Sequence, residues 1–287
     1  MQGQIIKIIS DLHVVSLNDE IYECKCRGRF RNNNIIPKVG DYVIFDKDKR
    51  VIEEVLPRVN SFNRPSVANI DQAFLITSLK TPNFSLNLLD KLIILMELHH
   101  VEPIICITKS DIVSSDYLKE INEILSYYKK LGYKVIYNYE IDEIKELLKD
   151  KTSVFTGQTG AGKSTLLNKL NPNFNLETGE VSIALGRGKH TTRVVELFNI
   201  NNGKVLDTPG FSALDFYEYS NEDIRNAFIE FKDYPCIYKD CMHKNEKECM
   251  VKQKVLDNNI MKTRYENYLK FIERKWCNVN FNFFFKQ

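Results

Sequence analysis

Hydrophobic and polar positions change their period twice along the chain, and each change marks a different kind of element. Over residues 1–60 the apolar positions fall in short β-rich runs at 4–9, 21–26, 41–45 and 51–55. Turn-formers separate them, with Asn32-Asn33-Asn34 and Lys47-Asp48-Lys49 as loops. Short strands at this spacing predict a small barrel. From Ala73 onward, buried-strand runs alternate with stretches at helical spacing. Residues 73–77, 104–108, 135–137 and 154–156 read as strands, and 86–98, 116–131, 141–148 and 164–170 as helices. That alternation predicts a parallel sheet covered on both faces. Residues 194–198 and 204–207 flank Asn202-Gly203, a hairpin signal. Beyond Ser220 the strand patterns stop, and 221–231 and 261–274 read as helices on either side of a Cys/His cluster. Arg64-Pro65-Ser66 reads as a linker, so the expected domains are 1–66, 67–220 and 221–287.

Composition narrows the class. A chain of 287 residues, 43% hydrophobic and 27% charged, is a globular protein of two or three domains and not a disordered or collagen-like one. Its net charge of +2 gives no global argument for nucleic acid, but the three segments carry +2, −3 and +3. The N-terminus lacks the layout of a signal peptide, and the apolar stretch around 92–96 is far short of a membrane span. A soluble cytoplasmic protein with no membrane partner is expected. Seven cysteines without a secretory signal point to a metal or to buried thiols.

Gly157-Gln158-Thr159-Gly160-Ala161-Gly162-Lys163-Ser164-Thr165 follows a strand and opens a helix. Glycines let backbone N–H groups turn inward onto phosphate oxygens, and the helix N-terminus adds its dipole. Lys163 supplies a charge at the β/γ-phosphates and Ser164 a hydroxyl for Mg²⁺. Asp207-Thr208-Pro209-Gly210 ends a later strand, where Asp207 can hold the Mg²⁺ water shell and the Gly210 N–H can meet the γ-phosphate. Thr108-Lys109-Ser110-Asp111 has the form of a guanine-specificity motif. Asp111 can accept both N1–H and N2–H of guanine, a pair that adenine does not offer, while Lys109 lays its stem along the base. The competing reading makes Ser110 or Asp111 a helix N-cap. A third reading, an ATP-using phosphate-loop protein, requires Asp111 to be only a cap. The base motif precedes the phosphate loop, the reverse of the ordinary order. The same sheet forms if the domain is circularly permuted, because domain termini often lie close together.

Cys236, Cys241, His243 and Cys249 offer three thiols and an imidazole within 14 residues. Zinc favours four such ligands in a closed structural site. Cys24, Cys26, Cys106 and Cys277, and His13, His99 and His100, show no such grouping. Residues 24–38 carry Lys25, Arg27, Arg29, Arg31 and Lys38 with no acid, beside Tyr22 and Phe30. This is either a solvated basic hairpin or an RNA-binding face.

Taken together, Val39-Gly40-Asp41, Asn69-Ile70-Asp71-Gln72, the Thr108 and Gly157 motifs, Gly186-Arg187-Gly188-Lys189-His190-Thr191-Thr192-Arg193, Asp207-Thr208-Pro209-Gly210-Phe211 and the cysteine cluster resemble one family. It is the circularly permuted, ribosome small-subunit-dependent GTPases (RsgA, also called YjeQ or YloQ). The resemblance covers nearly the whole chain. Its departures are Thr108 in place of asparagine, a second base-contact loop near 137–139 that is hard to recognise, and the aromatic tail 281–285. It implies a multidomain fold: an N-terminal OB-fold β-barrel, a central permuted α/β P-loop GTPase domain and a C-terminal α-helical zinc-binding domain. It implies one structural zinc and Mg²⁺ with GTP, the latter held by Ser164 and by a switch threonine, Thr192 in preference to Thr191. Phe211 stands where many GTPases carry the glutamine that orients water, and it cannot do so. His190 is the candidate for that task, against a solvated or RNA-contacting role. The expected function is hydrolysis of GTP to GDP and phosphate in late maturation of the small (30S) ribosomal subunit. The expected partners are that subunit and its 16S rRNA, with no DNA, and a monomeric chain. The alternative is a GTP-dependent switch for a non-ribosomal protein.

Overall fold

The computed structural model describes residues 1–18, 20–27, 30, 35–63, 65–172, 195–207 and 215–279. Its first five strands are β1 (Gln2–Ile9), β2 (Leu12–Leu17), β3 (Glu20–Cys26), β4 (Tyr42–Asp46) and β5 (Val51–Val55). They are hydrogen-bonded in the order β1-β2-β3-β5-β4, and β4 closes back on β1 through Gln2 opposite Ile44. A five-stranded barrel of this closure is OB-like. Ile5, Val15, Cys24, Phe30, Val43, Phe45 and Ile52 fill it. Strand β2 breaks apolar alternation because His13 is buried, and so the sequence pattern passed over it.

The connection, described over 56–63 and 65–70, is structured and not a loose linker. Two short strands, β6 (Ser61–Phe62) and β7 (Val67–Ala68), pair across it. The Asn60 side chain donates to Ile70 O at 2.7 Å and accepts from Ile70 N at 2.9 Å. Asn69 Nδ2 donates to Gly40 O at 3.0 Å. Gly40 has φ +95°, and a Cβ there would lie 2.0 Å from Ala68 O, so no side chain fits. Asp41 is fully buried and receives Arg58 Nε and Nη2, each at 2.7 Å. The Val39-Gly40-Asp41 and Asn69-Ile70-Asp71-Gln72 segments therefore tie the barrel to the chain that follows.

The α/β part contains β8 (Gln72–Ser78), α1 (Leu86–Leu98), β9 (Glu102–Thr108), α2 (Ser115–Lys130), β10 (Lys134–Tyr137), α3 (Ile141–Leu148), β11 (Thr152–Gly157), α4 (Lys163–Leu170), β12 (Glu196–Ile200) and β13 (Gly203–Asp207). Their sheet order is β10-β9-β8-β11-β13-β12, parallel except for β12. Apolar cores lie on both faces, as the alternating pattern predicts. The β12–β13 turn is built on Asn201 and Asn202, with φ +49° and +62°, one residue earlier than the expected Asn202-Gly203. Positive φ at both central residues matches the strand twist, and asparagine tolerates it.

The C-terminal part holds α5 (Asn221–Ala227), α6 (Met250–Leu256) and α7 (Lys262–Val279). Helix α6 was not expected. The expected helix 221–231 breaks at Phe228, and residues Ile229–Asp233 form a 3₁₀ turn. That break drops the Phe228 ring beside the Arg264 guanidinium, 5.0 Å away.

Arg264 of α7 is fully buried. Its Nη1 donates to Asp90 Oδ1 of α1 at 2.6 Å, and its Nε and Nη2 donate to Glu230. Tyr128 of α2 and Asn267 of α7 complete Asp90, each at 2.7 Å. Burial opposes the charge, but the Glu230 and Asp90 carboxylates outweigh it and keep the guanidinium ionised. Arg264→Met leaves two carboxylates buried without their cation. We expect a loss of about 3–5 kcal/mol of unfolding free energy, read by urea denaturation. A loss below 1 kcal/mol would show that water replaces the guanidinium there.

Candidate nucleotide and metal sites

Strand β11 is buried along its length and delivers Gly157 to the sheet's C-terminal end. Gly157 has φ +151°, and a Cβ would stand 2.2 Å from Ile76 O, so the loop must begin on glycine. The loop closes at Gly162, the N-cap of α4, whose first turn carries Lys163, Ser164 and Thr165. Helix N–H groups and dipole thus face the hollow formed by residues 157–162. Lys163 Nζ donates to Gly157 O at 2.8 Å and Gln158 O at 3.0 Å. Burial pushes its pKa down. An arriving phosphate offers the ammonium a charged acceptor in place of two carbonyls.

The base motif is fastened to this loop. Thr108 is buried, and its Oγ1 donates to Ala161 O at 2.6 Å. Lys109, in a left-handed conformation (φ +59°), donates to Gly160 O at 2.8 Å and to Thr81 O. The threonine hydroxyl therefore makes a tie between base strand and phosphate loop. The N-cap alternative fails on geometry. Ser114 caps α2, accepting from Tyr117 N, whereas Ser110–Ile112 form a separate 3₁₀ turn. Asp111 is exposed and has no hydrogen bond or ion pair among the described residues.

Two further segments lie beside the motif, the first of which was not singled out in the sequence. The segment after β8 leans over it: Thr81 O takes Lys109, Pro82 approaches Gly160, and Lys80 Nζ reaches Ile112 O at 3.4 Å. A Thr-Pro pair just past a strand was the available signal. At 137–139, Asn138 N bonds Ile107 O at 2.9 Å and the Tyr137 and Tyr139 rings stack at 5.2 Å. This sets the weakly marked loop beside the end of β9.

Asp207 ends β13, which lies parallel to and beside β11, at the same sheet end as Gly157. Gly210, Phe211, His190, Thr191, Thr192, Arg187, Lys189, Arg193 and the tail 281–285 lie outside the described residues.

Cys236, Cys241, His243 and Cys249 converge, with all four ligand atoms within 4.8 Å of one another. A tetrahedron with zinc–sulfur bonds of about 2.3 Å has sulfur–sulfur edges of about 3.8 Å. Cys236 Sγ and Cys249 Sγ are 3.7 Å apart. His243 Nδ1 stands 3.5 Å from Cys236 Sγ and 3.3 Å from Cys249 Sγ. The donor set and its spacing fit such an ion. Burial, aided by Arg225, pushes the His243 pKa down to about 4, so the ring is neutral, as a ligand requires. Tyr265 OH donates to His243 O, Tyr268 OH to Met242 O and Arg225 to Cys241 O, holding the loop in shape.

The basic stretch 24–38 divides. Lys25, on β3, and Arg27, just past its end, are exposed, with Arg27 paired to Glu53 at 2.7 Å. Lys38 is buried and bonds Phe62 O and Asn63 Oδ1, each at 2.9 Å, so it belongs to the barrel's base and not to a face. Phe30 lies in the barrel core, leaving Tyr22 as the described ring that carries a cation, Arg50, at 5.0 Å. Arg29, Arg31 and Asn32 to Asn34 lie outside the described residues. Cys24 and Cys106 are buried thiols.

Comparison with known proteins follows this geometry closely. Residues 55–217 match the model of the RsgA GTPase family, and residues 2–51 that of the RsgA N-terminal domain. The chain is 43% identical over 277 residues to a protein of Streptococcus agalactiae named small ribosomal subunit biogenesis GTPase RsgA, covering 95% of this chain and 94% of the relative. It is 44% identical over 282 residues to the protein named small ribosomal subunit biogenesis GTPase RsgA 2 of Oceanobacillus iheyensis, covering 95% and 96%. The crystal structure of YjeQ from Thermotoga maritima superposes with a TM-score of 0.83 at 34% identity, covering 96% of this chain and 98% of that one. That of YloQ, described as a circularly permuted GTPase, superposes with 0.81 at 35% identity, covering 96% and 94%.

Proposed function

The chain belongs to the RsgA family of GTPases, and from that premise we propose that it hydrolyses GTP to GDP and phosphate while acting in late maturation of the small ribosomal subunit. The observation that carries the reading is the pair of bonds from Thr108 and Lys109 to the phosphate loop. They hold the start of the base motif against the phosphate loop, which supports Asp111 as the carboxylate that reads guanine.

Residues 157–165 wrap the phosphates with backbone N–H groups, and Lys163 exchanges its carbonyl partners for the β/γ-phosphate oxygens. Preformed donors stabilise charge that builds on the leaving diphosphate as water attacks the γ-phosphorus. Ser164 and Thr192 would hold Mg²⁺ and Asp207 its water shell, and the ion would supply charge neutralisation across the phosphates when bound. The Gly210 N–H meets the γ-phosphate. His190 orients the attacking water, since Phe211 offers no hydrogen-bonding group. Asp111 and Lys109 select guanine. Cys236, Cys241, His243 and Cys249 hold one structural zinc. The barrel and the zinc part meet the subunit through 16S rRNA, and the chain works as a cytoplasmic monomer. The bounds 1–66, 67–220 and 221–287 are retained as its functional segments.

The test is GTP turnover by the purified chain alone and with isolated small subunits, with ATP as control. We expect slow turnover alone, at least 10-fold stimulation by small subunits, and none with ATP. Tight GTP binding with turnover unmoved by subunits would favour a switch for a non-ribosomal protein.

A further inference from the structure

The described residues form three apolar clusters: one in the barrel, one on a face of the α/β sheet, and one that the other face shares with the C-terminal part. The barrel has its own apolar cluster, centred on Ile5, Val15, Phe45 and Ile52. The C-terminal part does not. Phe216, Ile224, Phe228, Phe231, Val251, Tyr268 and Phe271 belong to one continuous cluster with Leu92, Ile93 and Met96 of α1 and Ile121 and Leu125 of α2. Buried charge crosses the same boundary: Arg264 and Asn267 of α7 bind Asp90 of α1. Asn87 of α1 donates to Asn267 at 2.9 Å. Directly after the 208–214 segment, Asp215 pairs with Lys91 of α1 at 3.4 Å, and Tyr219 OH bonds His99 at 2.7 Å.

The other joint is held by bonds of the 38–41 segment to the connection and of Gln4 to Lys204, and its strand ladder is thin. Among the described residues, β1 meets β12 at one register position, Lys7 opposite Glu196. Strand β1 has a register irregularity there, between Ile5 and Lys7. The Lys7–Glu196 ion pair is partly open to solvent, with side chains 20% and 28% exposed, and is therefore screened by salt. Val39 and the connection residues Phe62, Val67 and Ile70 pack into the larger core, so the connection belongs to that body.

We propose that the chain is built as two mechanical bodies: the barrel, and a fused body in which residues 215–272 are a rigid extension of the nucleotide-binding α/β core. Separate cores open separately, whereas a shared core with cross-bonded buried charges opens as one. The C-terminal helices then stay in register with α1 and α2, the helices behind the base motif. The barrel takes up its own orientation on a large partner, with the Lys7–Glu196 position as the part of the joint that yields first. A force on the C-terminal helices reaches the base motif directly, while a force on the barrel reaches the strand that follows residues 173–194.

Native-state hydrogen exchange of the full chain, resolved by peptide across a denaturant series, tests this without any substitution. The amides of β2 and β3 are expected to share one opening, and those of α1 and α7 a second of higher energy. An opening of α7 ahead of α1 would overturn the proposal, as would a single opening common to β2, β3 and α1. A GDP arm rests on the nucleotide-binding reading: saturating GDP should slow exchange in α1 and α7 by one common factor and leave β2 and β3 less changed. GDP that changes no amide would sink the nucleotide reading alone, since the partition is already decided in its absence.

Discussion

Asp111→Asn is expected to weaken GTP binding about 10⁴-fold and to let xanthosine triphosphate bind in its place. A carboxylate accepts from both N1–H and N2–H of guanine, while an amide presents one acceptor and one donor. The donor faces N2–H and is repelled, but it finds an acceptor at the xanthine 2-oxo group. A site built around a paired donor rejects the mismatched base by about 10⁴–10⁵. The variant should fold as the parent does, because Asp111 is exposed and without partners among the described residues. Equilibrium titration with GTP, ATP and xanthosine triphosphate reads the outcome. Unchanged GTP affinity would remove Asp111 from base recognition. Thr108 and Lys109 would then be left as struts of the phosphate loop.

Cys241→Ser is expected to lose bound zinc and to lower the melting temperature of the α/β core along with that of the C-terminal helices. A structural zinc contributes on the order of 10 kcal/mol to folding of the loop that holds it, and whole domains have only about 5–15 kcal/mol to lose. Cys241 is 3% exposed and sits in the same apolar cluster as Phe228, Phe231 and the α1 residues. Collapse of the 236–249 loop therefore withdraws cover from α1 as well. Metal analysis and a thermal melt followed by tertiary signals measure it. A variant that keeps its zinc would remove Cys241 from the ligand set. A melt confined to the C-terminal helices would mean that α1 holds without their cover. Cys26→Ser is the control: its thiol stands 3.7 Å from His13 in the barrel and should affect neither readout.

Legibility followed the range of the physics. Helices 86–98 and 141–148 were read to the residue: the first is a long periodic stretch capped by Ser85, and the second, though short, places Ile144 and Leu148 on one buried face. Strand β2 was missed because a buried histidine breaks the alternation. Helix 250–256 was missed because it starts on Cys249, a residue that the cluster had already claimed. Lys38 looked like part of an RNA face, yet it lies buried against Phe62 O. A charge run does not reveal which cation bends inward.

By itself the sequence determined the local chemistry: the phosphate loop, the base motif, the cysteine and histidine spacing and the permuted order. Each depends on residues a few positions apart and on backbone geometry that glycine or a ligand set imposes. Only the tertiary structure decided that Thr108 bonds Ala161 across 53 residues, that Arg264 is buried between Asp90 and Glu230, and that the C-terminal helices share a core with α1. Those facts come from contacts between distant segments, and a single sequence does not encode in its spacing which apolar face meets which.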